Sequence, residues 1–228
     1  VEPPLERKIL AMTITSDITR WMHEQHCQKA VKALNHNGFT ATYCEDASQA
    51  VDYIHRAAQS ASSIGFGGSR TLMDLGVEEV LRHQGKEILN HASPDLTPEG
   101  KLAVMRRQLI CDLFLTSTNA LTLDGHLVNI DGNGNRVGAM FFGPKQVIVV
   151  AGRNKLVDGD DEAALRRIQS WAGPANAKRL DRATPCAQTG LCADCDSPAR
   201  ICRITTVLTH KPGYTDLHVL VVNEDLGF

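Results

Sequence analysis

The chain has 228 residues, enough to bury one substantial core, and an ordinary composition of 43% hydrophobic and 22% charged residues. Its 24 basic and 26 acidic residues give a formal net charge of −2, which supplies no electrostatic footprint for nucleic acid or for an acidic membrane surface. No apolar run approaches the roughly 20 residues that span a bilayer, and the opening Val1, Glu2, Pro3 and Pro4 do not read as a secretory signal. A soluble cytoplasmic domain that binds a small ligand or a protein partner is expected.

Ile18, Trp21, Met22, Ala30, Val31 and Leu34 recur at helical spacing and predict a first helix over residues 16–37, closed by Gly38. Residues 39–44 predict a strand, and Asp46 caps a second helix with the stripe Ala50, Val51, Ile54, Ala57 and Ala58. A strand ending at Phe66 runs into Gly67, Gly68, Ser69, Arg70 and Thr71, and Leu72, Leu75, Val80 and Leu81 then resume helical spacing. Further strands are expected at 86–91, 112–116, 127–130, 147–150, 204–208 and 217–222. Helices are expected from Pro98, over 136–142, and from Asp160 to about Trp171. Strands alternating with helices predict an α/β fold, a mostly parallel sheet covered on both faces, forming a single domain over 1–228.

Two segments carry candidate chemistry. The Gly67–Gly68 loop permits close backbone approach, and Ser69, Thr71 and Arg70 add donors for a phosphate or carboxylate at a helix N-terminus. The alternative is a plain tight turn with Thr71 and Asp74 capping the helix. Residues 119–136 hold Asn119, Asp124, Asn129, Asp131, Asn133, Asn135 and Arg136, more polar side chains than the turn signals Asp124-Gly125 and Asp131-Gly132 require. Asp124 or Asp131 is a candidate general base, and Arg136 or Lys145 a candidate stabiliser of a developing oxyanion. Solvated turn residues are the competing reading of each.

The runs Ile64-Gly65-Phe66-Gly67-Gly68-Ser69-Arg70-Thr71-Leu72, Thr118-Asn119-Ala120-Leu121-Thr122-Leu123-Asp124-Gly125, Leu127-Val128-Asn129, Gly134-Asn135-Arg136-Val137 and residues 147–155 resemble the lactate-utilization (LUD) domain family. The resemblance implies the fold shared by sugar-phosphate isomerases, glucosamine-phosphate deaminases and CoA-transferases, in which Gly67–Thr71 is similar to the loop that meets phosphate or CoA. The sequence departs from the isomerases in lacking a clear acidic-acidic-lysine set, and no CoA-transferase glutamate is identifiable. The resemblance also implies a place in bacterial lactate oxidation beside iron–sulfur redox partners.

Of seven cysteines, Cys27, Cys44 and Cys111 are scattered and read as small buried apolar residues. Cys186, Cys192, Cys195 and Cys202 crowd one Pro/Cys/Gly-rich segment, 185–203, with gaps of five, two and six residues. Four thiolates suit a tetrahedral zinc or an iron–sulfur cluster. Reduced idle thiols or a redox-responsive disulfide are the alternatives. The spacing matches neither common zinc fingers nor the bacterial ferredoxin run, and the implied lactate role favours iron–sulfur over zinc. Arg200 and Arg203 are placed to donate to cluster sulfurs, whereas His210 and His218 read as structural. The leading expectation is therefore a protein that binds a small anionic metabolite and holds a metal centre supporting organic-acid oxidation. A regulatory module with a zinc clip and an enzyme on sugar phosphates or CoA esters are the alternatives.

Overall fold

The computed structural model describes residues 5–228; Val1–Pro4, part of the charged start, lies outside the described residues. Helix α1 (Leu5–His36) leads into β1 (Thr40–Cys44), α2 (Ala47–Ala58) and β2 (Ser63–Phe66). The chain continues through α3 (Arg70–Leu75), α4 (Val77–His83), β3 (Glu87–Asn90), α5 (Pro98–Gln108) and β4 (Leu113–Ser117). Then come β5 (Ala120–Thr122), β6 (Leu127–Asp131), α6 (Asn135–Phe141), β7 (Gln146–Gly152), β8 (Leu156–Val157) and α7 (Asp161–Arg167). The last elements are α8 (Gly173–Arg179), α9 (Pro185–Thr189), β9 (Ile204–Leu208) and β10 (Asp216–Val222).

Six strands form one parallel sheet in the order β1-β10-β7-β4-β2-β3, the α/β architecture expected. Its inner strands are buried on both faces, which is why β7 reads as an unbroken apolar run. Val147, Val149, Leu217, Val219 and Val221 face Cys27, Ala30 and Leu34 of α1 and Met140 of α6. Ile148, Val150, Leu220 and Val222 point the other way, onto Ala50, Ile54 and Ala58 of α2 and onto Leu72, Val77 and Leu81. The three scattered cysteines lie in these cores, and burial pushes each thiol up to about 11.

A second, four-stranded sheet, β8-β5-β6-β9, was not expected. Its β5–β6 and β6–β9 pairs are antiparallel, and it packs on Ala164, Ile168 and Ala172. The strands read at 127–130 and 204–208 therefore belong to this sheet and not to the parallel one.

Other differences have local causes. The helical stretch after Arg70 is two helices, broken at Gly76, which adopts left-handed φ +64°. The helix beginning after the Asp160 cap passes through a π-turn at Ile168–Ala172, where Gly173 N–H reaches back to Ile168 O, beside Pro174 with its missing N–H. The stripe that predicts α1 is only half used: Ala30 and Leu34 are buried and Val31 half-buried, while Ile18, Trp21 and Met22 are exposed. Among the described residues, no helix is long and apolar enough to cross a membrane.

Candidate functional site at the carboxyl end of the parallel sheet

From β2 the chain crosses to β3 on one side, and from β4 it crosses through the second sheet to β7 on the other. The crevice between the carboxyl ends of β2 and β4 is therefore a topological switch point, the usual ligand position in such sheets. Gly67 and Gly68 leave β2 there. A Cβ on Gly67 would lie 2.7 Å from Thr116 Oγ1 and 3.2 Å from Arg136 Cγ, and Gly68 has φ +70°. Both glycines thus answer to close packing and a left-handed turn. Ser69, and neither Thr71 nor Asp74, caps the next helix, its Oγ accepting from Leu72 N–H. That helix is only six residues long, so the helix dipole expected there has little length to act over.

Positive charge enters from side chains instead. Lys155, just after β7, is 4% exposed, and its Nζ donates to Thr71 Oγ1 (2.8 Å), Ser117 Oγ (2.8 Å) and Thr118 O (3.2 Å). These partners are neutral. Desolvation, reinforced by the charges of Arg167 and Arg136, lowers the ammonium from its ordinary range to about 7. Arg167 spends three bonds on backbone carbonyls, two to Asn154 O and one to Asn119 O. The segment after β10 closes over the lysine: Thr71 Oγ1 donates to Leu226 O, Asp74 Oδ2 accepts from Gly227 N–H, and Asn154 bonds both Leu226 N and Gly227 O.

Arg136 has a different part from the one its sequence position suggests. Its five N–H groups make five bonds, from Nε to Asp131 Oδ1, from Nη1 to Ser117 O and Asn129 Oδ1, and from Nη2 to Asn119 Oδ1 and Ile130 O. It is a brace that ties the exit of β4 to β6, with no donor left over for a developing oxyanion. Asn119 and Asn129 belong to the same network.

His91, at the end of β3, comes from outside the predicted set. Gln108 Nε2 donates to Phe66 O and Leu89 O, which fixes the amide's orientation, and it also contacts His91 Nδ1 at 3.1 Å. Both amide N–H groups are taken by those carbonyls, so Nδ1 receives no full hydrogen bond from Gln108; the ring's other nitrogen is Nε2. That Nε2 lies 3.4 Å from where a Cβ on Gly68 would stand. Burial depresses the imidazole's proton affinity, against the pull of Gln108 and Asp131, so the ring is neutral at pH 7.

The structure thus gathers Gly67, Gly68, Thr71, Asn119, Asn129, Asp131 and Arg136, and adds Lys155, Ser117, His91 and Gln108. Arg70 is exposed and paired with Asp74. Asn135 opens α6 behind a Gly134 cap with φ +81°. Asp124 is exposed at the β5–β6 turn, where its carbonyl bonds Asn37 at the end of α1. Lys145 is 80% exposed and pairs with Asp112 at the amino end of the sheet, the far side from the crevice.

The late cysteine segment touches this site at residues 201–203. A Cβ on Gly132 would meet Ile201 O at 3.2 Å, and Arg203 N–H donates to Asp131 O. Arg200 donates to the carbonyls of Cys195 (2.8 Å) and Cys202 (2.7 Å) and to Asp194 Oδ1; Arg203 donates to Pro198 O and Arg200 O. Both arginines brace the loop through oxygen atoms, and the Cys202 side chain also favours the charged form of Arg200. The donor chemistry suits a thiophilic metal, and Arg200 draws the Cys195 and Cys202 backbones together. The placing does not close: among the described residues, no three His, Cys, Asp or Glu side chains are gathered as a metal-ion site.

A family model described as the LUD domain matches residues 27–222. The chain belongs to the LUD-domain family. A crystal structure of a DUF162 family protein from Deinococcus radiodurans is similar in fold, with TM-score 0.50 and 16% identity over 89% of this chain and 98% of that one. A search of curated proteins finds no match. The family match spans β1 to β10 and so takes in both sheets and the crevice residues up to Lys155.

Proposed function

We propose that this LUD-domain protein binds a small anionic metabolite in the crevice between β2 and β4, and that it serves lactate-related organic-acid oxidation in that capacity. The observation that carries the reading is a charge imbalance. Lys155, Arg136 and Arg167 converge on the exits of β4 and β7, while Asp131 is the carboxylate that pairs within the cluster. Asp74, at the rim, is already engaged by Arg70 and Gly227 N–H. Excess positive charge in a low-dielectric crevice attracts an anion, and the glycine loop lets one approach the backbone. The four late thiols enter the proposal as donors for a metal centre, iron–sulfur before zinc, which would supply electron transfer to that oxidation.

A thermal-shift panel of lactate, inorganic phosphate, sugar phosphates, nucleotides and CoA at fixed ionic strength tests the anion reading. Stabilisation by one class, lost in Gly68→Val, is the expected result. A panel in which no anion stabilises the protein more than chloride does would sink it. Iron, sulfide and zinc analysis of anaerobically purified protein tests the thiols.

A further inference from the structure

Toward the amino end of the parallel sheet, opposite the crevice, three side chains form a hydrogen-bonded chain. Tyr53 of α2 places its hydroxyl 2.6 Å from His218 Nδ1, and His218 Nε2 lies 2.9 Å from Asp216 Oδ1. Asp216 Oδ2 accepts from Gln146 Nε2 at 2.8 Å, so the carboxylate is held between the first residues of β7 and β10. A carboxylate only accepts, so the imidazole proton sits on Nε2, and Nδ1 accepts from the phenol. His218 reads as structural in the sequence, and its bond to Tyr53 does tie α2 to β10. A tie alone needs no carboxylate behind the ring. Here Asp216 fixes the tautomer and can neutralise an imidazolium, the part a carboxylate plays behind a general base.

Such a chain moves a proton away from Tyr53. Burial raises the phenol's pKa, opposed by the Thr42 hydroxyl and by Arg56 over the ring face, so Tyr53 is no phenolate nucleophile at neutral pH. Loss of an electron changes that, because a phenol radical cation is a far stronger acid than the phenol. We propose that Tyr53, His218 and Asp216 form a redox-active tyrosine site, in which one-electron oxidation of Tyr53 is coupled to transfer of its proton to His218. One electron leaves the ring for a strong one-electron oxidant, a peroxyl-type radical or an oxidised metal complex, which is reduced by one. The phenol O–H bond breaks, an N–H bond forms at Nδ1, and Asp216 offsets the charge of the imidazolium. No proton enters the solvent, and return of the electron reverses every step. The inference does not depend on the anion reading, since it uses groups at the other end of the sheet.

The chain has three tyrosines, and Tyr214, 97% exposed, supplies the control. The full chain is flash-oxidised with photogenerated tris(bipyridine)ruthenium(III), and absorbance and EPR tell tyrosyl from tryptophanyl radicals. Tyr43→Phe with Tyr214→Phe keeps Tyr53 alone, and Tyr43→Phe with Tyr53→Phe keeps Tyr214 alone. A positioned base contributes about 10²–10⁴-fold to a proton transfer, so the tyrosyl radical is expected at least about tenfold faster at Tyr53. Its rate should stay flat from about pH 7 to 9, because the proton remains in the protein, while that of Tyr214 climbs as solvent base takes its proton. Of the groups that face Tyr53 through their charge, Asp216, Arg56 and Cys44, the thiol would ordinarily titrate nearest that window, and burial pushes it up to about 11. His218→Phe removes the acceptor and should give Tyr53 the rate and the pH dependence of Tyr214. Asp216→Asn, at a position 53% exposed, guards against a His218 variant that fails to fold. Its amide can present an N–H to Nε2 and turn Nδ1 into a donor, which should slow Tyr53 and leave Tyr214 unchanged. A Tyr53 rate that climbs with pH as Tyr214's does, or one that neither variant moves, would overturn the inference.

Discussion

Lys155 is the residue at which burial and function pull hardest against each other. Its ammonium is held near 7 against an ordinary 10.5, so between those limits the unfolded chain binds more protons than the folded one. Stability therefore rises with pH across that window, by up to about 1.4 kcal/mol per unit for one group, and the cost is fully present below pH 7. Lys155→Met should flatten the rise in urea-unfolding free energy between pH 7 and 9, because Thr71 and Ser117 keep acceptors at Leu226 O and Thr118 O. Identical slopes in the two proteins would mean that the site carries the charge without cost. Above pH 9, the buried Cys27, Cys44 and Cys111 thiols act in the opposite direction, so the comparison stops there. Asp112 presents the contrasting case of a strongly held carboxylate far from the crevice. Lys145 is the largest cause of its lowered proton affinity, yet that lysine is 80% exposed and screened by water. The backbone N–H groups of Ser62 and Ser63 bind the same carboxylate at 2.9 and 3.0 Å. Asp112→Ala is thus expected to cost about 2 kcal/mol through lost charge-assisted hydrogen bonds, while Lys145→Ala leaves the melting temperature nearly unchanged. A large loss from Lys145→Ala would reverse that ranking.

Among the elements, the segment after β10 does most to shape access to Lys155. Gly227 has φ +65°, and a Cβ there would lie 2.5 Å from Thr71 Oγ1 and 2.9 Å from Thr71 N. Gly227→Ala meets both the left-handed penalty, about 1–2 kcal/mol, and that clash. It should lift residues 224–228 off the crevice while leaving the paired part of β10 in register. Hydrogen exchange should then quicken at residues 70–75 and 224–228 and stay unchanged at 217–222; protection unchanged at 70–75 would mean that the segment does not seal the site. The parallel strands and most helices were legible because each carries a run long enough to show its period. β5 and β8, with three and two residues, are too short for that, and their pairing with β6 and each other is not a local property. The same holds for β9: its apolar run announces a strand, but only the pairing of Ile204 with Asp131 and Leu208 with Leu127 assigns the sheet. Gly76 gives no break in the pattern, because Val80 and Leu81 continue the helical spacing of Leu72 and Leu75 across it.

At the scale of the whole molecule, the site was half legible. Gly67, Gly68, Asn129 and Asp131 stand in runs whose composition draws attention, whereas His91, Gln108, Ser117 and Lys155 are single residues in separate stretches, brought together only when the strands align. The signal that would have found three of them is their position, since His91, Ser117 and Lys155 all fall at or just beyond the carboxyl end of a parallel strand. Arg136 shows the converse, a residue suited to catalysis by type but occupied entirely by structure. The late cysteine segment and the crevice are continuous through the contact of Ile201 with Gly132 and the bond from Arg203 N–H to Asp131 O. Closing four thiols around a metal therefore moves residues that bear on Asp131. Zinc added to reduced, chelator-washed protein at a hundredfold over its Kd should stabilise the fold by about 2.7 kcal/mol, on the order of 5–10 °C in melting temperature for a chain of this size. It should also slow hydrogen exchange at residues 129–135, and Cys192→Ser should abolish both effects. If zinc leaves the melting temperature and the exchange unchanged, the thiols take no zinc and the segment is a brace held by Arg200 and Arg203. A melting shift without protection at 129–135 would locate a metal centre that is uncoupled from the crevice.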